Sequence, residues 1–387
     1  MQLIEVTDKK TAQAFLQVNV LVNKNDPHYI RPLDKDINDV FDKGKNKHFR
    51  FGEVIRWILK DEAGELVGRI AAYANKKYKS KGDEQPTGGI GFFDCVNDQE
   101  AADLLFNTAK NWLQERGYEA MDGPINFGER DRWWGLLVEG FEQPLYCMNY
   151  NQSYYQQLFE NYGFQVFFNQ FCFSRKLEGR LPERFFKGHE KVAEDKKFSA
   201  RKIEKNKLDK YAQDFVTVYN GAFAGHGGNK QMDLKVAKKI FQSMKPVMDT
   251  DIVWFAYYGD VPVGIYINLP ELNQIFKHLN GKFNLWAKLK FLWLKSRGVC
   301  TKFTGIIFGV TPEHQGKGVD YFLIVEAANH IQYKTKYINT ELQWQGDFNP
   351  KIVNITRNLE FEQTRKLITY RYLFDRSKEF KRHPIFH

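Results

Sequence analysis

Cysteine is scarce in this sequence, and long hydrophobic runs are missing. The four cysteines among 387 residues form no Cys-x-x-Cys pair, and no histidines stand near them at the spacing of zinc ligands. We therefore expect reduced thiols and no bound metal. No uncharged apolar run reaches the roughly 18 residues that span a bilayer, and the first ten residues lack the apolar core of a signal peptide. These absences predict a soluble, cytoplasmic protein.

The charge balance is basic and the aromatic content is high. Lys and Arg number 57 against 47 Asp and Glu, which gives a formal net charge of +10. Such an excess favours anionic partners: nucleic acid, an anionic membrane surface or a phosphate-bearing cofactor. Because neither a zinc finger nor an aromatic RNA-binding strand motif is present, we expect no nucleic-acid partner. Aromatic residues make up 16% of the chain, enough to fill a core and to line an apolar pocket.

The predicted secondary-structure elements occur in the same order twice. Each half is expected to hold a strand, a helix, a hairpin, a buried strand, a helix, a strand, a short helix and closing strands. In the first half these are 2–6, 11–23, 50–60 with 65–74, 89–96, 98–116, 120–127, 153–162 and 164–175. In the second half they are 198–204, 207–223, 252–258 with 261–268, 303–310, 318–333, 337–344, 351–358 and 361–374. A duplicated α/β unit explains this order most simply.

The length of the chain also favours two domains, since a domain usually holds about 100–200 residues. We predict an N-terminal domain over 1–177, a linker helix over the basic segment 178–197 and a C-terminal domain over 198–387.

The segment 307–320 carries the clearest chemical signal. An apolar strand runs into a Gly-rich turn and then a helix, and the turn with the helix start reads Gln315-Gly316-Lys317-Gly318-Val319-Asp320. The first turn of a helix has unpaired N–H groups and the positive end of the helix dipole. Glycines let that backbone approach a phosphate closely, and Lys317 adds a cation. The pattern predicts a pyrophosphate cradle, with an ordinary helix start as the alternative.

The same residues resemble the cofactor loop of GCN5-related N-acetyltransferases (GNAT), Arg/Gln-x-x-Gly-x-Gly/Ala after a strand that ends in Val-x-Pro. The matching positions are Val310, Pro312, Gln315 and Gly318. Asp320 departs from the pattern and brings a carboxylate close to the pyrophosphate, which is electrostatically unfavourable. The resemblance implies that acetyl-CoA or a longer acyl-CoA binds at 315–320, with the phosphopantetheine of an acyl carrier protein as the alternative donor. It also implies that backbone amides of Phe308, Gly309 and Val310 polarise the thioester carbonyl.

Further segments, 123–127, 134–141 and 149–151, resemble an uncharacterised bacterial group of tandem GNAT-like proteins. The implied fold class is α/β, with two tandem GNAT folds, each a mixed, mostly antiparallel sheet flanked by helices. In the first half, the position of the cofactor loop is 97–102, which has no glycine and lies near three carboxylates. We therefore expect the first fold to lack a cofactor loop and to act as a scaffold or in binding the acceptor.

The acid–base residues are less clearly marked. GNAT enzymes commonly protonate the leaving thiolate with a tyrosine in the fourth helix, but the corresponding positions are Thr356 and Phe159. His226, in a Gly-rich loop, is one candidate base because histidine titrates near neutral pH; an exposed turn is the alternative. Glu341 is the second candidate, since a carboxylate within a sheet serves a cleft or a salt bridge. Asn349, before Pro350, is a helix cap or a cofactor ligand.

The segment 273–297 is an insert that the fold does not require. It mixes Phe, Leu and Trp with six Lys or Arg residues. Basic amphipathic segments of this composition lie on anionic membranes. The alternative is a helix that packs over the core with its lysines outward.

Together these features predict an N-acyltransferase that moves an acetyl or longer acyl group from CoA to a primary amine in the C-terminal domain. One alternative is a non-catalytic binding or sensory protein built on GNAT folds, as the missing helix-four tyrosine suggests. A further alternative is a lipid-amine N-acyltransferase that uses long-chain acyl-CoA or acyl carrier protein. The acceptor is thus a small-molecule or lipid amine, with peripheral membrane contact through 273–297.

Overall fold

The computed structural model describes residues 1–80, 82–223 and 231–386. The strands are β1 Gln2–Glu5, β2 Gly52–Lys60, β3 Leu66–Asn75, β4 Thr87–Cys95, β5 Ala120–Gly123, β6 Leu136–Glu139, β7 Gln165–Lys176, β8 Phe198–Lys202, β9 Val253–Tyr258, β10 Val261–Pro270, β11 Lys302–Val310, β12 Asn339–Gly346 and β13 Glu362–Leu373. The α-helices are α1 Lys9–Val22, α2 Asp34–Val40, α3 Gln99–Gln114, α4 Tyr155–Tyr162, α5 Glu183–Ala193, α6 Leu208–Ala222, α7 Leu234–Met244, α8 Asn273–Phe276, α9 Leu285–Ser296, α10 Val319–Lys334 and α11 Pro350–Asn358.

The chain forms two compact units, and neither is continuous in sequence. Unit 1 contains Met1–Phe173, Leu272–Ser296 and Trp344–His387, and unit 2 contains Ser174–Glu271 and Arg297–Gln343. The predicted boundaries at 177 and 198 follow the order of elements along the chain, whereas the units follow packing. That division of the sequence stays a prediction.

Unit 1 is built on a mixed sheet whose strand order is β1-β2-β3-β4-β5-β13-β7, with β6 also paired to β13. Strands β1 to β4 are antiparallel, β4 and β5 are parallel, and β13 runs antiparallel to β5, with Tyr370 opposite Gly123. The last strand of the chain therefore completes the sheet of the first fold.

Both faces of the unit 1 sheet are buried, because successive strand residues point to opposite sides. Leu59 and Ile70 pack with α3 and α4 on one face, and their neighbours Ile58 and Ala71 pack with α1 and α2 on the other. α1 begins at a capping box between Asp8 and Thr11, which satisfies two backbone donors that a helix start otherwise leaves unpaired.

Unit 2 repeats this plan with the strand order β8-β9-β10-β11-β12. The first four strands are antiparallel, and β11 pairs with β12 in parallel. α6 and α7 cover one face through a core that includes Phe255 and Ile265, and α10 covers the other through Trp254 and Leu323. The predicted architecture, mixed and mostly antiparallel sheets flanked by helices, is confirmed.

The main local differences from prediction concern the lengths and the number of the strands and helices. The strand predicted over 120–127 stops at Gly123, since the following Pro124 has no N–H to donate to a ladder. The segments 164–175 and 361–374 each form one long strand, β7 and β13, where several strands were expected. α7 and β6 were not predicted.

Candidate functional site

In unit 2, β11 and β12 pair over four residues and then separate. The parallel register runs from Lys302 opposite Asn339 to Gly305 opposite Leu342. β11 continues to Val310 and stays paired on its other edge with β10. A register shift in that second pairing places Ile306 in a β-bulge. The open stretch of β11 thus presents backbone groups to a ligand, and the exposed side chains of Ile306 and Phe308 make it apolar.

The turn that follows β11 fits a diphosphate. Gly316 has φ 71° and Gly318 has φ 87°, conformations that side-chain-bearing residues adopt only with strain. The Gln315 side chain donates to the carbonyl of Val310 at 2.8 Å and closes the loop onto its strand. Residues 315–317 are exposed, so an anion can reach their backbone and the side chain of Lys317.

The start of α10 completes this loop. Its N-cap is Gly318, and no side chain caps the helix. Its first amides therefore have no intrahelical acceptor and lie at the positive end of the helix dipole. Among the residues that the structure describes, none makes an ion pair or hydrogen bond with the carboxylate of Asp320, which is half-buried in the first turn. That carboxylate is the feature of the loop that opposes an anionic ligand.

Helix α5, which lies within the predicted linker, packs directly on the first turns of α10. A side-chain carbon added at Gly188 would collide with the ring of Tyr321, so the two helices meet at a glycine. Phe185 contacts Tyr321 edge-on at 4.9 Å, and His189 stacks on Phe322 at 5.1 Å. This packing holds the start of α10 in place, a role that the sequence pattern did not indicate.

The C-terminal end of α6 lies against β11. A side-chain carbon added at Gly309 would lie 2.6 Å from the ring of Phe223 and 3.5 Å from Ala222. The close approach of this ring requires glycine at position 309. His226 follows shortly after Phe223 but lies outside the described residues, and its role as a base stays a prediction.

Glu341 is buried, at 1% exposure, and pairs with Lys302, whose Nζ lies 2.9 Å from Oε2. Both residues belong to the short stretch where β11 and β12 are still paired. Of the two roles that the sequence left open for this carboxylate, a salt bridge is present in the structure. Its assignment as a base stays a prediction.

The remaining predicted residues lie in unit 1. Asn349 caps α11, since its side chain accepts from the amide of Ile352. The hydroxyl of Thr356 is buried and exchanges hydrogen bonds with the amide side chain of Gln345 at 2.8 and 3.1 Å. Phe159 is a core residue. Tyr155 of α4 is fully buried, and its hydroxyl accepts from the amide of Cys95 at 2.9 Å.

Unit 1 repeats the separation of the parallel strands but blocks the anion site. β4 and β5 pair over three residues, from Thr87 to Gly89, and Phe92 then adopts φ 47° within a register shift. The N-cap of α3 is Asp98, whose carboxylate accepts from the amides of Glu100 at 2.9 Å and Ala101 at 3.3 Å. The amides that a phosphate needs are thus already bonded.

A polar cavity of about 60 Å³ lies beside the separated strands of unit 1. Its wall includes the buried pair Asp94 and Arg69, 2.7 Å apart. Asn19 donates to both carboxylate oxygens, and the Tyr155 hydroxyl lies 3.1 Å from one of them. Burial raises the pKa of Asp94, while the guanidinium of Arg69 opposes that rise.

Backbone strain is concentrated around this cavity. Phe92, Trp133 and Cys147 line it and have φ values of 47°, 43° and 61°. Such conformations cost of order 1–3 kcal/mol each and cluster at functional sites. Unit 1 therefore has a polar cavity where unit 2 has an open, apolar strand edge and an uncapped helix.

Two sheets of this topology, each with a parallel pair that separates at a bulge and leads into a helix, define the tandem GNAT fold, and the chain has that fold. A tandem GNAT protein from the clavulanic acid biosynthesis pathway superposes with a TM-score of 0.55 at 10% identity, over 97% of this chain and 99% of that one. The fold that the sequence resemblance implied is confirmed.

Two curated proteins are similar over nearly the whole chain. A bacterial ceramide synthase from Caulobacter vibrioides is 24% identical over 364 residues, 93% of this chain and 94% of that protein. Protein YghO of Escherichia coli K12 is 23% identical over 370 residues, 94% and 93% of the two chains. No protein-family model matches the sequence.

None of the helices in 1–80, 82–223 and 231–386 combines the length and apolar character needed to cross a bilayer. Within the same ranges, no three His, Cys, Asp or Glu side chains gather at metal-binding distance.

Proposed function

We propose that the protein is an acyl-CoA-dependent N-acyltransferase whose donor binds to the C-terminal half, at residues 315–320. One observation carries this proposal: an uncapped helix start, at α10, directly follows two left-handed glycines and an open strand edge. Four buried cysteines that form no disulfide bond, together with a CoA donor, fit a cytoplasmic location.

The loop supplies the binding energy for the donor. The amides at Gly316 to Val319 bond the diphosphate, and hydrogen bonds to a charged group contribute about 1.5–3 kcal/mol each. Lys317 adds a mobile positive charge beside them. The apolar edge of β11 at Ile306 and Phe308 accepts the pantetheine arm and the first part of the acyl chain.

The open edge of β11 supplies the chemistry. Amides between Phe308 and Val310 donate to the thioester oxygen as negative charge develops there. The neutral amine forms the new C–N bond to the carbonyl carbon, the C–S bond breaks, and the amine proton leaves to a base. The departing thiolate takes up a proton. His226 and Glu341 are the proposed bases, and water replaces the tyrosine acid, because the corresponding position in the sequence is a threonine, Thr356.

Calorimetric titration of the full chain with acetyl-CoA and with acyl-CoAs of increasing length tests the donor site. We expect binding that weakens when Lys317 is changed to Glu, and tightens when Asp320 is changed to Asn, because each change alters the charge beside the diphosphate. Release of free CoA in the presence of a panel of primary amines tests catalysis. If no acyl-CoA binds the wild type, the proposal fails; if acyl-CoA binds but no amine causes CoA release, the protein is a binding protein on this fold.

A further inference from the structure

The insert between β10 and β11 belongs to unit 1, although its neighbours in sequence belong to unit 2. Three contacts fix it there. Asn273 donates to the carbonyl of Pro144 at 2.9 Å, the rings of Phe276 and Tyr146 meet at 5.2 Å, and the amide of Asp34 donates to the carbonyl of Gly281 at 2.8 Å. The insert is therefore an ordered part of unit 1.

Helix α9 of this insert is apolar on its outer side as well as its inner side. Ala287, Phe291 and Leu294 are buried. The outer side carries five large apolar residues, each between 50% and 77% exposed: Leu285, Trp286, Leu289, Leu292 and Trp293. Their spacing, i, i+1, i+4, i+7 and i+8, places them on one face. The simple alternative of a helix with only its lysines outward does not describe this surface.

Positive charge surrounds the apolar face. Lys277, Lys282, Lys288 and Lys290 are exposed, and the sequence from 273 to 297 contains no Asp or Glu. A face with exposed Trp and Leu, in an insert that has lysines and no carboxylate of its own, matches the boundary between anionic headgroups and acyl chains. A second copy of the chain is a poor partner, because a symmetric contact through this face would bring its lysines together.

We propose that α9 docks the protein on anionic phospholipid bilayers, with Trp286 and Trp293 inserted at the headgroup level and the lysines on lipid phosphates. If the protein is the proposed acyltransferase, docking implies that its acceptor is a lipid amine within the membrane. This part of the inference rests on the proposed function. The insert also contributes Asn273 to the wall of the polar cavity in unit 1, so the docking face and that cavity share one compact unit.

Co-sedimentation with vesicles tests docking without any enzymatic step. We expect the full chain to bind vesicles of phosphatidylglycerol and phosphatidylcholine, and to bind pure phosphatidylcholine at least tenfold more weakly. The double variant Trp286→Ser, Trp293→Ser should lose at least tenfold in binding. The matched control is Val261→Ser, Ile338→Ser, which removes apolar residues of 59% and 57% exposure from unit 2 and should bind like the wild type.

The charge contribution has its own pair of variants. Lys282→Gln, Lys288→Gln should weaken binding to the anionic vesicles, while Lys9→Gln, Lys10→Gln on exposed positions of α1 should not. Circular dichroism and thermal unfolding establish that each variant is folded. Equal binding by the wild type and the tryptophan variant would overturn the proposal, as would a dimer in solution that the tryptophan variant abolishes.

Activity separates this inference from the proposed function. If both hold, the tryptophan variant keeps acyl-CoA binding and turnover of a water-soluble amine, and loses turnover of a vesicle-embedded amine. Vesicle binding without any acyl transfer would leave the docking surface standing and remove the proposed function. Acyl transfer to a vesicle-embedded amine at equal rates in the wild type and the tryptophan variant would support the proposed function and remove the docking surface.

Discussion

Gly316→Ala is the most informative single substitution in the donor loop. Gly316 has φ 71°, and no atom lies within 4 Å of the position that an added side-chain carbon would occupy. The substitution therefore introduces no collision. Its cost to stability is the strain of a left-handed alanine, about 1–2 kcal/mol.

Gly259→Ala provides the control for that strain. Gly259 lies in the turn between β9 and β10 of the same unit, has φ 60°, and also has no atom within 4 Å of an added carbon. Both variants should lose a similar unfolding free energy, measured by urea denaturation. Of the two added methyl groups, only the one at position 316 keeps a phosphate from close contact with the loop amides.

The expected difference is therefore in donor affinity. Loss of one hydrogen bond to a charged group, about 1.5–3 kcal/mol, weakens acyl-CoA binding by about 10- to 150-fold in Gly316→Ala and leaves Gly259→Ala unchanged. Isothermal titration with the same acyl-CoA measures both. If Gly316→Ala binds within twofold of the wild type while showing the stability loss of Gly259→Ala, the amides of this loop do not hold the diphosphate.

Three further predictions concern unit 1. Asp98→Ala removes the cap of α3 and should cost about 1 kcal/mol in urea denaturation, with acyl-CoA affinity unchanged; weaker donor binding would show that unit 1 contributes to the donor site. Arg69→Met leaves Asp94 buried without its cation and should cost about 3–5 kcal/mol, whereas a loss under about 1 kcal/mol would mean that the pair is not needed for folding. Burial lowers the pKa of His383 below its ordinary value of 6.5. The neutral His383 side chain therefore stabilises the fold fully above pH 6.5, and this stabilisation is lost as the pH falls. The melting temperature should decrease below pH 6.5, and the decrease should be smaller in His383→Gln.

Sequence patterns identified the elements that depend on local chemistry. The start of α1 near Asp8, the stop of α4 at Gly163 and the turn at Gly259 follow from caps and left-handed glycines, which act over a few residues. The loop at 315–320, where we propose that the donor binds, was recognisable for the same reason, since strand, glycines and helix start are contiguous. The cap of α3 at Asp98 is local in the same way, since its carboxylate accepts from the amides of Glu100 and Ala101.

Other features of the site depend on residues far apart in sequence. The cavity of unit 1 is lined by Asn19, Arg69, Asp94 and Cys147, which no local pattern connects. The packing of α5 on α10 through Gly188 was equally invisible, because a single glycine in a basic segment predicts only a weak helix position.

The sequence by itself determined that the chain has two GNAT-type α/β folds, a Gly-rich turn before a helix in the second, and an insert rich in tryptophan and lysine. Only the tertiary structure decided that β13 completes the sheet of unit 1 and that the insert packs on the same unit with its tryptophans outward. The physical reason is that strand partners and buried faces are chosen by long-range backbone pairing and by burial of apolar area, and neither is a property of a residue's neighbours in sequence.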